Sequence, residues 1–220
     1  MRTNLWKQAP ATMTILFITT AVFVLMFFRY GLAYSSAEAV FRFGAVYGRL
    51  LSLDMLGEGW RLLAATFVHV GLEHFLVNMV ALYFLGRQVE AVFGWGKFLL
   101  IYLLSAFMGS VFVSHFSPDV LGAGASTALC GLTAVLVVLR FVVNHPYIEY
   151  IGKSLVPFLV MNLLLGFLPG VSLAGHLGGF VGGSLCALIF PIKGLPSKLQ
   201  PWQRFVALMI YIVLLILCLW

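Results

Sequence analysis

From Ser154 to Ile192 the chain carries no Lys, Arg, Asp or Glu. That run is longer than the roughly 20 apolar residues one membrane-crossing helix needs. Pro169-Gly170, near its middle, is a turn signal, so the run divides into two spans, about residues 154–168 and about 172–190, the second ended by Pro191 and Gly194. The rest of the chain has the same character. Of its 220 residues 62% are hydrophobic and 9% charged, whereas an ordinary soluble domain is about 45–50% apolar and about 25% charged on a slightly different residue set. A soluble globule is excluded, and so is a disordered chain, which needs low hydrophobicity and high net charge. What remains is an all-α polytopic membrane protein, with room for roughly six to eight spans and no separate soluble domain.

The remaining spans lie between charges. Span 1 runs about 10–28, after Lys7 and before Arg29; it is longer than a signal-peptide core and reads as a retained helix. Span 2 falls at about 70–86, with Glu73 near one membrane face, span 3 between Lys97 and Asp119, and span 4 between Asp119 and Arg140. Span 5 takes Pro157 in its first turn, and span 7 follows Arg204. With seven spans, nine of the 13 basic residues (Arg2, Lys7, Arg87, Lys97, Arg140, Lys153, Lys193, Lys198 and Arg204) fall on the side of the N-terminus. The other four, Arg29, Arg42, Arg49 and Arg61, share the long loop 29–69. The positive-inside rule therefore predicts a cytoplasmic N-terminus in the plasma membrane. It also accounts for the net charge of +6 without a nucleic-acid partner. Cys130, Cys186 and Cys218 lie in apolar stretches and predict neither a disulfide framework nor a metal site. The loop 29–69, with Tyr30, Tyr34, Phe41, Phe43, Tyr47 and Trp60, reads as an interfacial structure.

Polar residues inside spans are costly and mark candidate function. Three clusters stand out. His74 and Asn78 are one helical turn apart on one face of span 2, and both can donate hydrogen bonds to a shared point. Gly122, Gly124 and Ser126 open span 4, where free backbone N–H groups and the positive end of the helix dipole favour a nucleophile with part of an oxyanion hole. Gly175, Gly179 and Gly183 form a smooth ridge on span 6, with His176 at its head. Such a ridge admits close approach of another helix; if that helix is span 4, His176 meets Ser126. In the predicted topology spans 2, 4 and 6 descend in parallel, so His74, Ser126 and His176 share one depth near the outer face. His69, His115 and His145 lie near loop or interface positions, where solvated histidines are ordinary.

These residues resemble the rhomboid family of intramembrane serine proteases. The matching elements are Trp60-Arg61, His69, His74-x-x-x-Asn78, Leu85-Gly86 with Glu90, Gly124-Ala-Ser126, Gly131, and Gly175-His176 with Gly179 and Gly183, in the family's order over about residues 60–190. The resemblance implies a six-helix core over residues 1–192, with residues 193–220 as a linker and an additional seventh helix. It implies Ser126 as nucleophile and His176 as general base, with His74, Asn78 and the Ser126 N–H as oxyanion donors, and Gly124, Gly175, Gly179, Gly183, Trp60 and Arg61 in support. No carboxylate lies in spans 4 or 6, so the pair would be a dyad without the orienting acid of a triad. The implied substrates are transmembrane proteins in the lipid bilayer, with lateral access between spans 2 and 5 beneath a cap at about Phe167–Ala174, and neither cofactor nor metal is implied. Two positions depart from the family pattern. Thr127 replaces the last glycine of Gly-x-Ser-Gly and is expected to crowd the oxyanion pocket, and Cys130 replaces an aromatic that commonly stacks on the histidine. The competing reading is a catalytically impaired relative that binds transmembrane helices as a chaperone or degradation adaptor. A transporter would call for inverted repeats or charges at mid-depth, and neither is visible.

Overall fold

The charge-free runs fold as helices. A computed structural model describes residues 8–168, 170–192 and 194–220. Arg2, Lys7 and Lys193 of the charge count, and Pro169 of the expected turn, lie outside the described residues. In chain order the elements are α1 (Pro10–Tyr30), α2 (Ala37–Arg42), β1 (Val46–Tyr47), α3 (Gly48–Leu53), α4 (Met55–Glu58), α5 (Arg61–Ala64), α6 (Leu72–Phe93), α7 (Trp95–Phe116), β2 (Leu121–Gly122), α8 (Ser126–Val142), α9 (Pro146–Ser154), α10 (Val156–Leu165), α11 (Leu173–Ile189) and α12 (Pro201–Leu219). Among the described residues five helical stretches are long and apolar enough to cross a membrane: Pro10–Ala33, Leu72–Phe93, Trp95–Phe116, Pro146–Leu165 and Pro201–Leu219. Two apolar helices, α8 and α11, are shorter, at 17 residues each.

The helix boundaries differ from the charge-to-charge spans in two places. Span 2 was expected to stop before Arg87, but α6 continues through Glu90 to Phe93. The reason lies at the start of α1. Pro10 has no N–H to satisfy, and the next two backbone N–H groups, of Ala11 and Thr12, donate to the two Glu90 carboxylate oxygens at 2.9 and 2.8 Å. The Thr12 hydroxyl adds a third bond at 2.6 Å. Glu90 is buried and caps another helix. The fifth apolar helix likewise begins earlier than 154, because α9 runs almost without a break into α10.

The core centres on α8, which packs against α6, α7, α9, α10 and α11. From Ala128 to Leu136 it is buried residue after residue, because it has neighbours on all sides there. α12 lies against α7 and α11: Tyr211 Oη donates to the Leu104 carbonyl at 2.9 Å, and Arg204 Nη1 donates to the Leu188 carbonyl at the end of α11, also at 2.9 Å.

The segment 31–71 folds into short helices that clamp the approach to α8. β1 pairs antiparallel with β2 in the register Val46↔Gly122 and Tyr47↔Leu121. Arg49 reaches the same segment, pairing with Asp119 at 2.7 Å, which holds that exposed carboxyl below its ordinary range. Arg61 is buried, ion-paired to Glu58, bonded to the Phe41 carbonyl at 2.5 Å and stacked on the rings of Phe41 and Trp60. Trp60 and Arg61 therefore organise this segment.

Candidate active site

The loop before Ser126 is held from the α5–α6 side. Gly124 N donates to the Ala65 carbonyl at 2.9 Å, and Ala125 N donates to His69 Nε2 at 3.3 Å. Gly124 has φ +124, a conformation that side-chain-bearing residues rarely adopt. The space a Cβ would fill is taken as well, since it would lie 2.6 Å from His74 Cε1. The His74 ring therefore covers the backbone two residues before Ser126. α8 then begins at Ser126, which is half-buried.

α11 approaches this helix start through its glycines. A Cβ added at Gly179 would fall 2.0 Å from the Thr127 carbonyl oxygen, and one at Gly183 would fall 2.1 Å from the Gly131 carbonyl oxygen. At Gly175 the neighbour is Thr127 Cγ2, at 2.9 Å. The ridge Gly175–Gly179–Gly183 thus faces α8 at backbone contact. A second row, Gly178 and Gly182, faces α7, where added Cβ atoms would meet the Met108 carbonyl at 2.7 Å and Met108 Cβ at 2.9 Å. His176 is buried between the glycines that touch Thr127. Its Nδ1 lies 2.7 Å from the main-chain carbonyl of Asn162 in α10, and its Nε2 has no hydrogen-bond partner among the described residues. Ser126 Oγ and His176 Nε2 are accordingly not hydrogen-bonded to each other.

Asn78 is buried in α6, and its Nδ2 donates to the His74 carbonyl at 2.8 Å. One of its two N–H bonds is thus used locally and the other remains. The Thr127 side chain packs between Gly175 and Gly109: an added Cβ would meet Thr127 Cγ2 at 2.9 Å at the first and Thr127 Cβ at 2.6 Å at the second. Between α6 and α10 an apolar groove of about 530 Å³ is lined on one side by Leu76, Val77, Val80 and Phe84 and on the other by Leu155 and Phe158. Phe167 and Leu168, in the connection to α11, are exposed.

Two further residues, His69 and Asn162, support the site through contacts that only the tertiary structure brings about. His69, placed by the sequence near an interface and among the elements of the resemblance, is fully buried against His74, with ring centroids 5.2 Å apart. Burial, and secondarily the neighbouring His74, push it down to about 3, so it is neutral and accepts the Ala125 N–H. Asn162 contributes main chain only. A lone polar residue in an apolar helix was its one signal, and that signal does not reveal a carbonyl contact.

The fold and site define an all-α polytopic membrane protein in which two short helices meet through glycines beside a serine and a histidine. The Rhomboid domain profile matches residues 56–193. The chain belongs to the rhomboid family. It is 32% identical over 212 residues to the Rhomboid protease GluP of Bacillus subtilis (strain 168), covering 95% of this chain and 40% of that protein. To RHOMBOID-like protein 4 of Arabidopsis thaliana it is 37% identical over 138 residues, 62% of this chain and 35% of the relative. The Inactive RHOMBOID-like protein 8 of the same plant is 31% identical over 126 residues, 56% of this chain and 36% of the relative. The chain spans less than half the length of these curated relatives.

Proposed function

We propose that the chain is an intramembrane serine endopeptidase that cuts peptide bonds within or next to transmembrane helices of membrane-protein substrates. The observation that carries this reading is the contact of α8 with α11, in which Thr127, the residue after Ser126, touches both Gly175 and Gly179 around His176. In the proposed reaction Ser126 Oγ attacks the scissile carbonyl while His176 Nε2 takes its proton. The tetrahedral oxyanion is met by the Ser126 N–H, the free N–H of Asn78, and His74, a class of interaction worth about 3–4 kcal/mol per donor. Collapse breaks the C–N bond, and His176 returns the proton to the leaving amine. Water then attacks the acyl carbonyl while His176 takes its proton, the Ser126 ester C–O bond breaks, and His176 returns the proton to Ser126 Oγ as the new carboxylic acid leaves.

The groove between α6 and α10 is the proposed lateral access route for a substrate helix. Helical peptide bonds are protected by their own hydrogen bonds, so small or helix-breaking residues are the expected cleavage sites. At 17 residues α8 is about 25 Å long, less than the roughly 30 Å of a bilayer core. This length favours a recessed Ser126. We assign the N-terminus to the cytoplasm, the site to the outer side, and the chain to the plasma membrane, from the distribution of basic residues.

Purified protein in detergent is expected to cleave a single-pass transmembrane substrate, with Ser126→Ala and His176→Ala reducing the rate at least about a thousandfold. Equal cleavage by Ser126→Ala overturns the assignment. One observation favours a second reading, a non-catalytic binder of transmembrane helices: His176 Nε2 makes no bond to Ser126. Such bonds often tighten only when substrate binds. A water-soluble fluorophosphonate decides between the readings, since it labels Ser126 only if that hydroxyl is activated.

A further inference from the structure

We infer that α10 is a positioning element for the base: the main-chain carbonyl of Asn162 orients His176 and fixes its tautomer, while Phe158 of the same helix lines the groove. The inference rests on the protease reading for its consequence and on geometry for its content. In a continuing helix the Gly166 N–H would bond the Asn162 carbonyl. Here the last turn of α10 tightens. Gly166 N bonds Leu163 O at 3.1 Å, Phe167 N bonds Leu164 O at 3.1 Å, and Leu168 N bonds Leu165 O at 3.0 Å. That change of register releases the Asn162 carbonyl from its helix, and it meets His176 Nδ1 at 2.7 Å.

A carbonyl has only lone pairs to offer, so Nδ1 carries the proton and Nε2 keeps its lone pair. Nε2 is the nitrogen left buried and unpartnered, the form a general base for Ser126 requires. Neither α8 nor α11 contains a carboxylate, so the carbonyl supplies the orientation that an acid supplies in a triad. α10 also carries a wall of the groove. Phe158 is one turn before Asn162, and the Asn162 Nδ2 donates to the Phe158 carbonyl at 2.8 Å. A substrate helix that displaces α10 therefore moves the acceptor that holds the base. The α10 and α11 ends are themselves in contact, because a Cβ at Gly166 would lie 2.8 Å from Leu173 Cα.

The test is solid-state NMR of the full chain in lipid, labelled with 15N-histidine and 13C-carbonyl asparagine, with His176 assigned by subtraction of the His176→Gln spectrum. The expected result is an Nδ1–H tautomer for His176 with a dipolar contact from Nδ1 to an asparagine carbonyl that survives in Asn78→Ala. An Nε2–H tautomer, or no such contact, overturns the inference without any variant of α10 having to fold. Gly166→Ala, which forces the α10 end away from Leu173, is expected to mix the tautomers and slow fluorophosphonate labelling of Ser126 at least about tenfold. Unchanged tautomer and labelling in that variant also overturn it. Absence of labelling in the unmodified protein, with the Nδ1–H tautomer present, counts against the protease reading alone.

Discussion

Thr127 shows how one residue's meaning depends on what lies opposite it. As a β-branched residue beside the serine it predicts crowding, yet its side chain fills a recess made by Gly109 of α7 and Gly175 of α11. Thr127→Gly should therefore leave a void and add a helix-weakening glycine, lowering stability by about 1–3 kcal/mol while Ser126 labelling persists. Thermal unfolding together with probe labelling checks both halves of this expectation. Gly179 is the opposite case, since a Cβ there would meet the Thr127 carbonyl at 2.0 Å and main chain has no rotamer to escape into. Gly179→Val is expected to cost about 3 kcal/mol or more and to abolish cleavage. A fully active, stable Gly179→Val protein would disprove the tight packing of α8 on α11. The glycine spacing was legible in the sequence because four-residue periodicity is a property of one helix. The compensation at Thr127 was not, because Gly109 and Gly175 are brought to it by two other helices.

At the scale of elements, the chain joins helices by satisfying one helix's orphan polar groups with another's. Glu90 of α6 caps the start of α1, Arg204 of α12 caps the end of α11, and Asn162 of α10 offers its freed carbonyl to α11. Charge-to-charge division of the sequence ended span 2 too soon and began span 5 too late. Arg87, which set the end of span 2, donates to Tyr83 Oη at 2.9 Å within the continuing helix, and Glu90 one turn on is bonded to the start of α1. Glu90→Gln removes the charge-assisted bonds to Ala11 and Thr12 and should cost about 1.5–3 kcal/mol. Faster proteolysis of α1 in lipid vesicles would accompany that loss, whereas unchanged stability would show that α1 is held by its apolar face alone.

For the molecule as a whole, stability should depend on pH through its buried histidines, and His69 gives the sign. It ionises near 3 when folded and near its ordinary 6.5 when unfolded. Between those values the unfolded chain binds the proton and the folded chain does not, so stability falls as pH drops from about 6.5 toward about 3. Thermal midpoints in detergent should be lower at about pH 5 than at about pH 7.5, with a smaller difference in His69→Gln. An equal difference in both proteins would assign the acid sensitivity elsewhere. By itself the sequence determined the class of molecule, the approximate helices, and the three polar clusters. These follow from local quantities, namely apolar run length, helical spacing, and the cost of polar groups in a bilayer. Only the tertiary structure decided that the glycine ridge meets α8, that Thr127 points into a glycine recess, that His69 is buried, and that a main-chain carbonyl holds His176. Each of those depends on which helix faces which, and a backbone carbonyl is common to every residue, so its role has no trace in the sequence.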